Sequence, residues 1–178
     1  KAANWEARPS PRPNRQRTGR VTGRGIACVC YEGDNGYVAM VADVAVDQDS
    51  GRVEVTRLVV AQDSGPISNP DGMRSQIEGG SVQGISRALG EEVTWDDRKI
   101  TSIDWRTYHS LPVGYAPPVI ETVLINNIEV EACGSGEAAI TIVAPAIGNG
   151  IFDATGVRLR EVPFTPARML AALRASSE

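Results

Sequence analysis

The chain has 178 residues, 42% of them apolar and 22% charged, the size and balance of one globular domain with its own core. Net charge is −4 but uneven: residues 1–24 hold seven basic residues against Glu6, and the remainder holds 11 basic and 21 acidic residues. Three cysteines and one histidine exclude a disulfide framework and argue against a zinc or iron–sulfur centre built by this chain alone, and no run of about 18 apolar residues announces a membrane span.

The chain opens at Lys1 rather than Met, so a fragment, a processed subunit or a trimmed chain is expected, and compartment stays open between cytoplasm and periplasm. Residues 1–23 read as a Pro/Arg-rich extended lead-in to a domain over 24–178. Pro9, Pro11 and Pro13 break the basic arm and Trp5 is its only aromatic. It is therefore read as a segment lying on an acidic neighbouring surface, not as a nucleic-acid-binding arm.

From Gly25 the pattern becomes strand-like. Gly25–Tyr31, a turn at Gly33–Gly36, Tyr37–Val46, a turn at Asp49–Gly51 and Arg52–Ala61 predict three strands in an antiparallel meander. Asp63–Pro70 is a loop by composition. A helix follows from about Asp71 to Leu89, on the spacing of Met73, Ile77, Val82, Ile85 and Leu89. Within it Gly79 and Gly80 each cost roughly 1 kcal/mol of helix propensity. Either a backbone or cofactor approaches closely there, or the helix packs tightly on the sheet; local evidence leaves both open.

Residues 92–95 and 99–102 flank a turn and read as a hairpin, and Val119–Ile125 as a further strand. Beyond the loop Cys133–Glu137 comes an apolar helix from about Ala144 to Thr155, with Pro145 in its first turn and Gly156 as its cap. A short final helix starts at Thr165–Pro166. The fold class is α+β, a small mostly antiparallel sheet with packed helices.

For chemistry, Gly134-Ser135-Gly136-Glu137 stands out. Glycines widen the backbone angles open to a loop, and the apolar run from Ala138 suggests a poorly solvated setting that would favour a general base. The alternative is a carboxylate placed at the following helix N-terminus. Gln76, Glu78, Asp63, Asn69 and the pair Tyr108–His109 are weaker candidates. No dinucleotide fingerprint, phosphate-binding loop or nucleophile elbow is present.

Six segments, in order, resemble the C-terminal end of the molybdopterin-binding large subunit of the xanthine oxidase/aldehyde oxidoreductase family, nearest its isoquinoline 1-oxidoreductase beta-subunit type. They are residues 23–27, 37–44, 59–65 with Asn69-Pro70, Gln76–Gly80 with Gln83-Gly84, Gly134–Glu137, and Ala144-Pro145 through Phe152–Gly156 with Arg158–Arg160. The resemblance covers about residues 20–164. It implies part of a molybdenum-cofactor-binding domain in an enzyme that oxidises an N-heterocycle or an aldehyde with oxygen from water. It also implies that Glu137 is the catalytic base, taking a proton from a metal-bound hydroxide. Implied cofactor-binding residues are Gln76, Gly79, Gly80 and Ser81, the last three through their amides, with Gly134, Ser135 and Gly136.

Implied partners are the remainder of the same subunit, a subunit carrying two iron–sulfur clusters, and a small-molecule substrate. Molybdopterin would be shared with the remainder, so this chain alone is expected neither to retain it nor to turn over. Ala138-Ala139 replaces the proline that often follows the glutamate, and Cys133 stands where a glycine is usual. The rival reading is a non-catalytic assembly module that kept the fold and lost the chemistry.

Overall fold

A computed structural model describes residues 1–31, 36–117 and 119–176. Among them are the strands β1 (Arg20–Tyr31), β2 (Gly36–Asp47), β3 (Val53–Asp63) and β4 (Ile120–Ile125), and the helices α1 (Pro70–Leu89), α2 (Val143–Thr155) and α3 (Pro166–Ala175). The strands form one sheet in the order β1-β2-β3-β4. The first three make the expected antiparallel meander, whereas β4 joins β3 in parallel after the crossover through α1. β1 reaches back to Arg20, five residues earlier than the pattern suggested. The anticipated turn at Gly33–Gly36 lies largely outside the described residues. The expected 92–102 hairpin forms in short: around the bridge pair Trp95–Ile100 the Asp96 amide donates to the Lys99 carbonyl (2.9 Å) and the Thr101 amide to that of Thr94 (2.7 Å).

Alternation explains which sheet face is covered. On β2, Val38, Met40, Ala42, Val44 and Val46 are all buried in the core. On β3 a bulge opposite Asp43 and Val44 keeps Val53 and Val55 in the same layer as Leu58 and Val60. α1 and α2 cover this face. α1 starts where Asn69 Oδ1 accepts from the Gly72 amide (2.9 Å) and Pro70 occupies the first turn. α2 ends on Gly156, whose φ of 78° closes the helix in the left-handed region. With the 3-10 turn Ala138–Ile142 before it, α2 makes an apolar stretch of 18 residues, long enough by length and composition to cross a bilayer. It is 67% buried within the fold and serves as the core helix.

Helix and sheet meet closest where β1 crosses α2. A Cβ at Gly25 would lie 2.0 Å from the Ala146 carbonyl oxygen and 2.2 Å from the Gly150 nitrogen, and one at Gly23 would lie 2.2 Å from the Gly150 oxygen. Here glycine is required because two backbones touch.

The basic lead-in packs along the end of α2, where it meets one carboxylate, that of Asp153. Arg8 grips Asp153 of α2 with both guanidinium nitrogens (2.8 and 2.6 Å), and the Arg24 amide adds a third donor at 2.9 Å. The Arg12 amide donates to the Asp153 carbonyl and Arg15 Nε to that of Thr155, which satisfies carbonyls at the C-terminal end of α2. Arg24 reaches Asp43 on the other sheet face and donates to the carbonyls of Ala3 and Asn4, and its guanidinium stacks on Trp5.

Asp153 has a side chain only 1% exposed. Burial pushes its carboxyl up, but hydrogen bonds from Arg8, the Arg24 amide and Ser10 outweigh that and hold it below the ordinary range. A depressed carboxyl contributes stability that is complete above its unfolded value, near 3.9, and is lost as pH falls through the folded value. Arg8→Ala should therefore lower stability at pH 7 by about 3 kcal/mol, the low end for a buried charge that loses its partner. It should also flatten the loss of stability below about pH 4. Urea midpoints at pH 7 and pH 3 check both.

Candidate functional site

The loop between β4 and α2 is held against the end of β3 by polar contacts. Asn126 Oδ1 accepts from the Ile67 amide (2.9 Å), Asn127 Nδ2 donates to Asp63 (3.0 Å), and the Cys133 amide donates to the Ser64 carbonyl (3.0 Å). Gly65, at φ 79°, lets that turn press on the loop: a Cβ there would meet the Glu131 carbonyl at 2.5 Å. The loop delivers Glu137 immediately before the 3-10 turn, whose Ala138 and Ala139 are buried and fix the junction.

Glu137 occupies the N-cap position of that turn, as the helix N-terminus alternative has it, but makes no side-chain cap hydrogen bond there. Its Oε1 instead accepts a hydrogen bond from the Tyr31 hydroxyl. Tyr31 ends β1 on the core-facing side, with its ring packed against the core and its hydroxyl at the rim. Glu137 itself is exposed, so the poorly solvated setting expected from the apolar run is not formed by this chain. Ala138 and Ile142 turn their apolar groups into the core, away from the carboxylate.

The glycines flanking Ser135 also differ from expectation. Neither Gly134 nor Gly136 has a positive φ, and a Cβ at either would meet nothing within 4 Å. They leave bare backbone in an exposed loop, with Ser135 half-buried between them.

The same 3-10 turn brings Glu137 to α1. The Ile140 amide donates to the Glu137 carbonyl (3.2 Å) and sits 3.9 Å from where a Cβ of Gly80 would be. Tight helix packing falls on Gly84, whose Cβ would lie 2.6 Å from Val143; at Gly79 a Cβ would meet nothing. Packing among the described residues therefore does not account for Gly79 or Gly80. α1 is unbroken across them, so the amides of Gly79, Gly80 and Ser81 are spent on carbonyls four residues back and are not free donors. What α1 does offer is the exposed Gln76, whose side chain bonds no described residue, and the backbone surface bared at Gly79. Ser81 is fully buried and its hydroxyl lacks a partner among the described residues.

Sequence reasoning passed over Tyr31 and Gln62. Gln62 lies fully buried in the core-facing row of β3 after Leu58 and Val60; its Nε2 donates to Ser64 Oγ (3.0 Å) and its Oε1 has no partner among the described residues. A lone amide in an apolar register was a usable signal. A tyrosine ending a strand was not. Among the described residues no three His, Cys, Asp or Glu side chains are grouped to hold a metal ion.

The family model for the molybdopterin cofactor-binding domain matches residues 31–117. One of the subunits of nicotinate dehydrogenase from Pseudomonas putida is 38% identical over 179 residues, across 96% of this chain and 15% of that protein. The beta chain of isoquinoline 1-oxidoreductase from Brevundimonas diminuta is 30% identical across 80% of this chain and 18% of that protein. The solved aldehyde oxidoreductase from Desulfovibrio gigas superposes with a TM-score of 0.69 at 31% identity, covering 78% of this chain and 15% of that one. The chain thus spans less than a fifth of the length of these relatives.

Proposed function

Because the chain belongs to the xanthine oxidase/aldehyde oxidoreductase family, as a portion of its molybdopterin-binding subunit, we propose that it supplies the proton-accepting wall of a molybdenum hydroxylase active site. The substrate class is an N-heterocycle or an aldehyde, in keeping with the nicotinate, isoquinoline and aldehyde enzymes it is similar to. The remainder of the subunit completes the site, and an iron–sulfur partner subunit carries electrons away.

The observation that carries this reading is Glu137, held by the phenol of Tyr31 beside α1, where no packing among the described residues explains Gly79 or Gly80. The residues suit a large organic cofactor better than a bare ion. Gln76 offers an amide that bonds no described residue, and Gly79, Gly134 and Gly136 offer surface without side chains. Gln76, Gly79 and Gly80 on α1, with Gly134, Ser135 and Gly136 on the loop, would line the pterin side, whereas Ser81, fully buried within this chain, would not reach it. When bound, the molybdenum cofactor supplies the centre that donates oxygen and accepts electrons.

Glu137 accepts, on its carboxylate, the proton released as water-derived oxygen is committed to substrate. Tyr31 fixes that carboxylate at Oε1 and leaves Oε2 to face the reacting atoms; the anchored ring limits the rotamers open to Glu137. Exposure in this chain fits a wall whose opposite side lies in the remainder of the subunit.

Glu137→Gln in the assembled enzyme tests the base. Tyr31→Phe tests its support: kcat should fall about tenfold, as for loss of an outer hydrogen bond to a site residue, with KM and molybdenum content unchanged. Steady-state kinetics with metal analysis reads all three, and a wild-type kcat would remove Tyr31 from the mechanism.

A further inference from the structure

Between the end of α1 and residue 117 the chain makes little regular structure. The described residues contribute the bridge pair Trp95–Ile100 and the 3-10 turn Val113–Tyr115. The base of this excursion is nonetheless fixed to the body. Both carboxylate oxygens of Glu92 accept from Arg168 of α3 (2.8 and 3.3 Å), Tyr108 donates to Glu91 (2.7 Å), and the Leu111 amide donates to Ser86 Oγ (2.7 Å).

The outer part is ordered by its own polar groups. Asp96 accepts from the amides of Arg98 and Lys99 (2.8 and 3.0 Å), and Thr107 Oγ1 from those of Ile103 and Asp104 (2.9 and 3.1 Å). Asp104 closes the turn on Arg106. Its large apolar side chains point the other way: Trp95 is 74% exposed, Ile103 75% and Trp105 82%. A solvent-facing loop would satisfy its backbone with water and keep such groups in. This one spends its polar groups internally and presents two tryptophans on a stiff support, as interface anchors are presented.

We propose that residues 91–107 form an anchor that seats Trp95, Ile103 and Trp105 in the remainder of the cofactor-binding subunit. Two features choose that occupant. More than four-fifths of each relative's length lies outside the part that matches this chain, so a large covering body is available. Two near-naked tryptophans also suit a permanent, core-like contact better than one made and broken between separate molecules. The inference rests on the reading of this chain as part of a larger subunit, and it makes no use of Glu137.

Hydroxyl-radical footprinting with residue-resolved mass spectrometry tests it on the full-length subunit. The subunit is labelled native and urea-unfolded, with and without the iron–sulfur subunit, and over a dilution series. Trp95 and Trp105 should oxidise at least tenfold more slowly in the native subunit alone, at every concentration, than in the unfolded one. Oxidation at the unfolded rate overturns the anchor. Protection that appears only with the iron–sulfur subunit, or only at concentrations where the subunit self-associates, overturns it in favour of those occupants. Intact mass, measured first, shows whether a larger polypeptide carries this chain at all. If none does and no second polypeptide co-purifies with the chain, the subunit reading falls with the anchor; if the remainder is present and the tryptophans stay reactive, the anchor alone falls.

Discussion

Glu137→Gln in the assembled enzyme should lower kcat by roughly 10²–10⁴-fold, the range for removing a positioned general base. Glutamine has the same length and its amide oxygen can still accept from Tyr31, so loop geometry and cofactor content should not change. What it cannot do is take a proton. KM should move little, because the proposed role is confined to the reacting complex. Turnover within about twofold of the parent at unchanged molybdenum content would sink the assignment. Loss of molybdenum together with activity would instead make Glu137 a binding residue. The contrast between Glu137→Gln and Tyr31→Phe is informative, since one removes the base and the other only its orientation.

Gly25→Ala should destabilise the fold by about 3 kcal/mol or more, at or beyond the upper end of ordinary overpacking. The new methyl group would sit 2.0 Å from the Ala146 oxygen and 2.2 Å from the Gly150 nitrogen. Both are backbone atoms in the middle of the core helix, so no side chain can swing aside. α2 would have to lift from β1, opening voids along Ala146, Gly150 and Ala154. The check is the urea midpoint at constant slope, with Gly134→Ala as control. A Cβ at Gly134 meets nothing within 4 Å, so its effect should stay within about 0.5 kcal/mol. A Gly25→Ala midpoint equal to the parent's would mean that β1 and α2 are not in backbone contact.

Sequence periodicity and caps made β2, β3, α1, α2 and α3 legible, because those signals are local: alternation on Val38 to Val46, Asn69 before Pro70, Gly156 after Thr155, Thr165 before Pro166. The parallel pairing of β4 with β3 was not legible, since nothing within Ile120–Ile125 states which edge it joins. The 92–102 hairpin was legible from its turn at Asp96 and forms, though shorter than read, with one bridge pair and the amides of Asp96 and Thr101 bonded across it. Gly23 and Gly25 looked like the irregular start of a strand; only the position of α2 shows why they carry no side chain. At the site, chemistry reached Glu137 through the family resemblance, and local physics misjudged its solvation. Tyr31 escaped notice because its role depends on a residue 106 positions away.

The grip of Arg8 on Asp153 joins residues 145 positions apart, and that of Arg15 on Thr155 joins residues 140 apart. High sequence separation makes such closures late and slow, so the segment that carries Arg8 and Arg15 is fastened only once the far end of α2 has formed. Until then β1, the outermost strand on its side of the sheet, has β2 beside it but not its covering helix, and its free edge is open to mispairing.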